Sequence, residues 1–403
     1  MRRIERSGQD DTPPGISRTG RRHRWRRLVV LALAPLLALT ATGATAQGVW
    51  LTLPSIPTAR SGHAAATAPC PGGLQKACVY VFGGTSGALR AEFEAYSPAS
   101  NAWATLPPLP TPREGLAGRG APCPGGLQDG CVYAIGGTAD GTTPLKTVEA
   151  YSPATGAWAT LTGLPTARRD LAAAKAPCPT GLGLRGTCVY AIGGRDTANT
   201  ALATVEAYSP ATETWATLTP LSKRRTGLGA VGAPCPPGMG LRGGCVYAID
   251  GTGDGSVEVY SPATNAWTAL QPLPLSHGDR PAVVAAPCPG GLPGGCVYVI
   301  GGVNPALRPA LQDVHAYSPL TGTWITLPRT PSPHRRTAGT VAPCPKESTS
   351  PCVYVVGGLS DTGAPEPSAA TEAFAVEREP GRPGGPGGPG GPGGPVGPGG
   401  PRG

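Results

Sequence analysis

A unit of about fifty-five residues recurs six times in this chain, and each copy carries its own pair of cysteines. The core of the unit is Cys-Val-Tyr, two apolar residues and, in five copies, a Gly-Gly doublet, as in the segment from Cys78 to Gly84. A period of this length is typical of a repeat architecture, in which many copies of one small unit build the fold. The repeat therefore predicts the fold class, and functional residues are to be sought where the copies differ.

Each copy predicts four short strands. In the second copy, the small residues of 116–121 suit a strand in a crowded interior, and 131–135 is an apolar run that ends at Gly-Gly. Residues 146–151 alternate in polarity, a Ser-Pro turn follows, and a fourth strand begins at Trp158. Four short strands joined by turns are typical of one blade of a β-propeller.

These landmarks resemble the kelch-repeat family. The chain shares with it the Gly-Gly doublet, a later Tyr, and a Trp seven residues after that Tyr, as in Tyr96 and Trp103. The resemblance extends over about residues 49–376 and implies a β-propeller that binds partners through its loops. Two copies depart from the pattern, because Asp250 replaces the first Gly of the fourth doublet and Phe374 replaces the sixth Tyr, with no Trp after it.

The missing Trp predicts how the ring closes. Residues 50–54 match the fourth-strand pattern that begins at Trp103, but the three strands that should precede them are absent. The sixth copy has those three strands and lacks the fourth. We therefore predict an all-β fold, a six-bladed β-propeller of four-stranded kelch-like blades, in which the N-terminal strand completes the last blade and removes the open sheet edges.

The two ends of the chain differ from the repeats. Residues 1–46 have a basic segment before the apolar stretch Leu28 to Leu39 and end in Ala-Thr-Ala, which is typical of a cleaved signal peptide. An uncleaved anchor is the alternative. Residues 380–403 are rich in Pro and Gly, and we predict a disordered tail. Residues 47–379 are then the propeller.

We expect a secreted or otherwise extracytoplasmic monomer with no stable membrane span after cleavage. Residues 1–46 hold 9 of the 33 Lys and Arg and 3 of the 24 Asp and Glu, so the remainder has 24 against 21, a net charge of +3. The whole-chain charge of +9 would favour nucleic-acid binding, but most of that excess belongs to the predicted signal peptide. We therefore expect no nucleic-acid partner.

The 12 cysteines form six local pairs, each across the turn between the first and second predicted strands. An exported chain is in an oxidising compartment, so we predict hairpin disulfides. Thiolate metal sites are the alternative, but their cysteines usually lie two to four residues apart. The predicted pairs are Cys70–Cys78, Cys123–Cys131, Cys178–Cys188, Cys235–Cys245, Cys288–Cys296 and Cys344–Cys352.

The predicted ligand-binding face lies opposite the cysteines. From the second Gly of the doublet to the Tyr of the repeat (Phe374 in the sixth copy), the spacing is 12, 14, 14, 9, 15 and 16, and variable loops on a fixed scaffold are where binding usually occurs. Arginines before the first strands would give this face a basic funnel for an acidic protein or glycan. A structural role is the alternative, with pairing to the backbone or to Glu114, Asp170 and Asp279. The predicted ligand-binding residues are Arg60, Arg113, Arg168, Arg169, Arg224, Arg225, Arg280, Arg335 and Arg336.

The function predicted from these patterns is a non-catalytic binding scaffold without a metal, a cofactor or catalytic residues. Three histidines near the same loops, His63, His277 and His334, leave a metal site open as an alternative. The family resemblance also allows a carbohydrate-active enzyme. A galactose-oxidase-like copper site would need a tyrosine cross-linked to a spare cysteine, whereas every cysteine here has a local partner. A sialic acid mutarotase-like site needs only acid/base residues and arginines in the pore, and it stays open.

Overall fold

The computed structural model describes residues 48–73, 77–126, 130–238, 243–291, 294–304, 309–346, 350–360 and 366–376. The predicted signal peptide and the predicted Pro/Gly tail lie outside these described residues, so the bounds of the three predicted segments stay predictions. None of the helices in the described part of the chain has the length and apolar character of a membrane span.

The described residues form six antiparallel sheets of four strands each, and these sheets are the six blades. Blade one consists of β2 (Ala64–Pro69), β3 (Ala77–Phe82), β4 (Phe93–Ser97) and β5 (Ala102–Leu106); blade two of β6 (Ala117–Pro122), β7 (Gly130–Ile135), β8 (Val148–Ser152) and β9 (Ala157–Thr160); blade three of β10 (Ala172–Pro177), β11 (Thr187–Ile192), β12 (Val205–Ser209) and β13 (Thr214–Thr217). Blade four consists of β14 (Gly229–Pro234), β15 (Gly244–Ile249), β16 (Val257–Ser261) and β17 (Ala266–Leu270); blade five of β18 (Ala282–Pro287), β19 (Gly295–Ile300), β20 (Val314–Ser318) and β21 (Thr323–Leu327); blade six of β22 (Ala338–Pro343), β23 (Pro351–Val356), β26 (Thr371–Val376) and β1 (Gly48–Thr52).

The remaining elements lie in the connections. Strands β24 (Leu359–Ser360) and β25 (Glu366–Pro367) form a two-stranded hairpin on the way to β26. Single turns of 3₁₀ helix follow the first strands of blades one, two and five, at Pro71–Gly73, Pro124–Gly126 and Pro289–Gly291.

The N-terminal strand β1 forms the outer edge of blade six. It pairs antiparallel with β26, with Trp50 opposite Phe374, and the two rings lie 5.2 Å apart. The innermost strands of successive blades contact one another in order, and β22 of blade six contacts β2 of blade one. The prediction of an all-β, six-bladed propeller closed by an N-terminal strand is therefore confirmed.

The second strand of every blade is buried between the neighbouring blades, which explains its continuous apolar sequence. The tyrosine of this strand places a polar hydroxyl at the edge of the core. In all six blades that hydroxyl donates to the carbonyl of the proline that ends the first strand, at 2.5–2.6 Å. The Tyr of the repeated Cys-Val-Tyr motif thus adds apolar surface to the core and leaves no polar atom unpaired.

The fourth-strand tryptophan joins each blade to the preceding one. Its ring packs against the third-strand tyrosine, as Trp103 does against Tyr96 at 5.4 Å, and its indole nitrogen donates to a carbonyl before that blade, as to Pro54 at 2.8 Å. Trp50 donates in the same way to Pro328 at 2.9 Å. Trp50 therefore belongs to the same series and holds blade six against blade five.

All six predicted disulfides are present, with Cα–Cα distances of 4.8–5.0 Å. Each closes a hairpin of 8 or 10 residues between the first and second strands of its blade. Such separations are ordinary for disulfides and need no displacement of the backbone.

Removing one of these bridges by Cys123→Ser with Cys131→Ser is expected to lower the free energy of unfolding by about 2–3 kcal/mol. The reason is that the hairpin loop is no longer closed in the unfolded chain. Urea denaturation monitored by tryptophan fluorescence measures the change. Removal of the Cys178–Cys188 bridge should cost a similar amount, because its loop is only slightly longer. A double serine variant as stable as the parent chain would contradict the expectation.

Candidate functional site

Four of the nine predicted arginines are buried inside the blades, with their side chains 0 % exposed. Each guanidinium pairs with the third-strand glutamate of its own blade at 2.5–2.8 Å, and also donates to carbonyls at the end of the second strand or the start of the third. The pairs are Arg60–Glu94, Arg113–Glu149, Arg168–Glu206 and Arg225–Glu258.

This burial removes Arg60, Arg113, Arg168 and Arg225 from the residues that a ligand can reach. The structural alternative is the better description of these four, although their carboxylate partners differ from those it names, which pair with Arg169, Arg280 and Arg336 instead. The partners are third-strand glutamates inside the blade rather than Glu114, Asp170 and Asp279 in the loops. The repeated arginine and the repeated glutamate therefore form one structural pair in each of blades one to four.

Blades five and six place a histidine where the other blades have the buried arginine. His277 Nδ1–H donates to the carbonyl of Gly301, and its Nε2 lies 2.9 Å from Nδ1 of His315. Burial is the main reason that the pKa of His277 falls to about 4, so its ring is neutral at pH 7. His315 stands where the other five blades have a glutamate, so the buried pair of blade five consists of two imidazoles, whereas blade six pairs its histidine with Glu372.

The three histidines raised as an alternative metal site are each held within the fold. His334 contacts the carbonyl of Gly357 and the carboxylate of Glu372, both at 3.0 Å, and His63 donates from Nε2 to the carbonyl of Val356 at 3.0 Å. Within the described ranges, no three His, Cys, Asp or Glu side chains are arranged to hold a metal ion. The structure therefore does not bring these histidines together as a site.

At the pore mouth, the residue two positions before the first strand of each blade has a left-handed backbone, with φ between 48° and 65°. The amide of each such residue donates to the carbonyl of the corresponding residue in the preceding blade, and five of these bonds measure 2.8–3.0 Å. We call this set the mouth belt; it consists of Gly62, Gly115, Asp170, Gly227, Arg280 and Arg336. The belt fixes the positions of its three large side chains around the pore.

Two of these side chains, Arg280 and Arg336, cross the pore. Arg280 of blade five pairs with Asp170 of blade three, and Arg336 of blade six contacts Glu114 of blade two at 3.2 Å. A Cβ at Gly62 would lie 2.9 Å from the Arg280 guanidinium and 3.3 Å from that of Arg336. Glycine at this position of the belt therefore makes room for the crossing ion pairs.

Beside the crossing pairs lies a pocket of about 480 Å³. Arg169, Arg195, Arg280 and Arg336 line it together with two acidic residues, Asp170 and Asp279. The charges of these residues leave an excess of two positive charges. Burial, with Arg336 as the next cause, lowers the pKa of Arg280 to about 9, so this guanidinium is still charged at pH 7. The pocket can therefore bind a carboxylate or another anionic group.

The side chains of Arg169 and Arg195 are partly exposed to the pocket. Arg169 contacts Asp170 at 3.1 Å and Asn199 at 2.8 Å, and its side chain is 20 % exposed, although its Nε is buried. Arg195 Nε donates to the hydroxyl of Thr226 at 3.0 Å, and its side chain is 37 % exposed. These two arginines can approach a bound anion without breaking a buried ion pair.

The structure thus divides the nine predicted arginines into groups. Arg169, Arg280 and Arg336 line the pocket; Arg224 is exposed outside it, and Arg335 is half-buried in the loop that carries Arg336. Arg195, Asn199 and Asp279 are pocket residues that the predicted set lacks. The sequence does hold a signal that distinguishes the two kinds of residue. When the copies are aligned at the start of their first strands, the buried arginine and the belt residue fall in separate columns, two positions apart.

Comparison with known proteins fits this repeat structure. Residues 119–165, 176–222 and 286–331 match the family described as Kelch motif. The first of these segments covers most of blade two, from its first strand through its fourth. The chain is a kelch-repeat protein. The matched segments fall on blades whose Gly-Gly doublet, Tyr and Trp are all present.

Curated relatives of this kelch-repeat protein include Kelch-like protein terF of Aspergillus terreus, 28 % identical over 280 residues that cover 61 % of this chain and 56 % of the relative. Kelch-like protein 23 of Homo sapiens is 29 % identical over 213 residues, which cover 50 % of this chain and 33 % of that protein. The chain thus spans between a third and just over half of the length of these relatives.

A solved structure titled "Structure of YjhT" shares the fold of this kelch-repeat protein. The superposition has a TM-score of 0.57 at 14 % identity and covers 81 % of this chain and 98 % of the other. At this identity the similarity concerns the arrangement of blades. The pocket residues must be interpreted from their own chemistry.

Proposed function

We propose that this kelch-repeat protein is a non-catalytic, extracytoplasmic binding scaffold that recognises an acidic group of a protein or glycan at its pore mouth. The observation that carries the proposal is the 480 Å³ pocket lined by four arginines and two aspartates. A pocket of this size accommodates one sugar unit or one acidic side chain. Six disulfides favour an oxidising compartment, which supports an extracytoplasmic location.

The pocket lies among the loops whose length differs from blade to blade. Arg195 and Asn199 come from the connection between the second and third strands of blade three, and residues 251–253 come from the corresponding connection of blade four. The disulfide hairpins of the opposite face vary less. This distribution is typical of a fixed scaffold with a ligand-specific surface.

Replacing two pocket arginines by Arg169→Gln with Arg195→Gln is expected to weaken binding of acidic glycans or acidic peptides at least tenfold. Both side chains present charge to the pocket, and neither forms a buried pair with a third-strand glutamate. The measurement is a screen of the full chain on arrays of uronate-containing and neutral glycans and of acidic peptides, followed by affinity measurements at two salt concentrations.

Arg224→Gln is the matched control, because it removes the same charge from an exposed position outside the pocket. It should leave affinity within about twofold, and the affinity of the parent chain should fall as salt rises. Binding that is unchanged in the double variant, or equal binding of neutral and acidic ligands, would refute the proposal.

One observation favours a carbohydrate-active enzyme of the mutarotase-like class as a second candidate. The Asp279 carboxylate lines the pocket with its side chain 53 % exposed, so a bound sugar can reach it. A carboxyl group within reach of a bound sugar can act as a general acid or base. Interconversion of the anomers of an acidic sugar, measured by NMR and lost in Asp279→Asn but kept in Arg224→Gln, would establish this activity in place of simple binding.

A further inference from the structure

A channel lined by the six innermost strands contains an unexplained pair of positive charges. One section of the channel has a volume of about 310 Å³ and a wall of small and apolar residues with two threonines. The two charged residues of this wall are Arg119 on β6 and Lys175 on β10, which belong to the neighbouring blades two and three. Neither residue belongs to the pore-mouth pocket.

No negative charge in the channel compensates these two residues. The six innermost strands contain no Asp or Glu. Among the described residues, neither the Arg119 guanidinium nor the Lys175 ammonium has an ion pair or a hydrogen-bond partner. Buried or enclosed charges in proteins are normally paired or hydrogen-bonded, because their removal from water is unfavourable.

The surroundings oppose the positive charge of both groups. Burial lowers the pKa of Arg119 to about 10. Lys175 is exposed to the channel; partial desolvation there, and secondarily the charge of Arg119, lowers the pKa of its ammonium. An anion held between the two side chains would remove both effects, since an opposite charge favours the protonated form of each group.

The other polar groups of the wall cannot take the place of these two cations as donors. Thr67 Oγ1 donates to the carbonyl of Val341 at 2.7 Å, so the contact of 2.6 Å between the hydroxyls of Thr67 and Thr340 uses the proton of Thr340. Across the channel, blade five contributes the apolar residues Val284 and Ala285. The free donors of the channel therefore belong to Arg119 and Lys175.

We propose that the central channel binds one small oxyanion, a phosphate or a carboxylate, between Arg119 and Lys175. The planar guanidinium can donate two parallel hydrogen bonds to such a group, and the ammonium adds a point charge. This site is separate from the proposed pore-mouth site, because its residues lie on the innermost strands rather than in the loops. It does not depend on the proposed function.

Isothermal titration calorimetry of the full chain, purified with its disulfides intact, tests the site with phosphate, acetate and chloride at constant ionic strength. In Arg169→Gln with Arg195→Gln, where the pore-mouth pocket is weakened, one phosphate or one acetate should still bind per chain, and the tighter of the two identifies the preferred oxyanion; chloride should bind at least tenfold more weakly. Arg119→Gln with Lys175→Gln should weaken oxyanion binding at least tenfold. Lys146→Gln, which removes a charge from an exposed loop, should leave it unchanged.

Thermal unfolding gives a second measurement that does not depend on a heat of binding. In buffer without oxyanions, the double glutamine variant should unfold at a higher temperature than the parent chain, since two uncompensated charges are gone. Phosphate or acetate should raise the melting temperature of the parent chain and not that of the variant. Lys175→Gln alone, at the more exposed of the two positions, should weaken binding in the same direction.

Three results would overturn the proposal. The first is no saturable oxyanion binding by the parent chain. The second is equal binding by the double glutamine variant. The third is binding that this variant keeps but that Arg169→Gln with Arg195→Gln abolishes, because the anion would then occupy the pore-mouth pocket. If the parent chain binds an oxyanion in the channel but no acidic ligand at the pore-mouth pocket, the channel site is supported and the proposed function is not.

Discussion

Arg225→Ala is expected to lower the free energy of unfolding by about 3–5 kcal/mol, because it leaves the Glu258 carboxylate buried without its partner. Arg225 also donates to the carbonyls of Asp250 and Ser256, at 2.6 and 2.9 Å, and these acceptors would lose their donor as well. Chemical denaturation at pH 7, with fluorescence and circular dichroism as parallel probes, measures the change.

The adjacent arginine is a matched control for this prediction. Arg224 is exposed and its guanidinium donates one long hydrogen bond, to the carbonyl of Ala201 at 3.3 Å, so Arg224→Ala should change the free energy of unfolding by less than about 0.5 kcal/mol. The combination Arg225→His with Glu258→His copies the pair of blade five and should recover part of the loss. Equal effects of the two alanine substitutions would contradict the structural role of the buried pair.

His63→Leu is expected to stabilise the protein increasingly as the pH falls below 6.5. Burial, with the charge of Arg60 as the second cause, lowers the pKa of His63 to about 3 in the folded chain. Below pH 6.5 the unfolded chain binds a proton at this residue and the folded chain does not, until about pH 3. Stability is therefore lost over this range by about 1.4 kcal/mol per pH unit.

The substitution is suited to the site. Blades two, three and four carry Leu116, Leu171 and Leu228 at the corresponding position before the first strand. The Nδ1 atom of His63 is buried without a hydrogen-bond partner, and the carbonyl of Val356, which accepts from His63, also accepts from the hydroxyl of Thr337 at 2.9 Å. Leucine thus removes an unsatisfied atom and leaves that carbonyl bonded.

Urea unfolding at pH 7, 5.5 and 4.5 measures the expected divergence between His63→Leu and the parent chain. Leu116→His is the reciprocal control, since it should introduce the same sensitivity to acid in blade two. A difference between His63→Leu and the parent chain that is independent of pH would show that His63 titrates alike in the folded and unfolded states, contrary to the prediction.

The fold could be predicted from sequence because its determinants are local and repeated. The Tyr-to-Trp spacing, the Cys-Val-Tyr motif and the cysteine pairs each recur at fixed offsets, and the displaced Trp50 strand predicts the closure. These features act within one blade or between a blade and its neighbour. Their contacts are therefore the same in every copy, and one copy is enough to interpret the others.

The pocket was harder to predict because its residues come from several blades. Arg280 pairs with Asp170 and Arg336 with Glu114 across the pore. The two residues of each pair come from blades that are not neighbours, and the repeat pattern carries no information about such contacts. Arginines that look alike in sequence also lie in different environments. Arg168 is buried in its blade and Arg169 lines the pocket, although the two are adjacent in the chain.

The position of β1 has a consequence for the order in which the protein matures. Strand β1 comes from the start of the propeller sequence, and its partner β26 comes from the end. During synthesis or translocation from the N-terminus, blades one to five can form their sheets as they emerge, whereas β1 has no partner until β26 has been made. Until then, both strands present unpaired edges, which are open to pairing with other chains. The final step of maturation is thus the meeting of the two most distant strands, and any delay there exposes the nascent ring to misassembly.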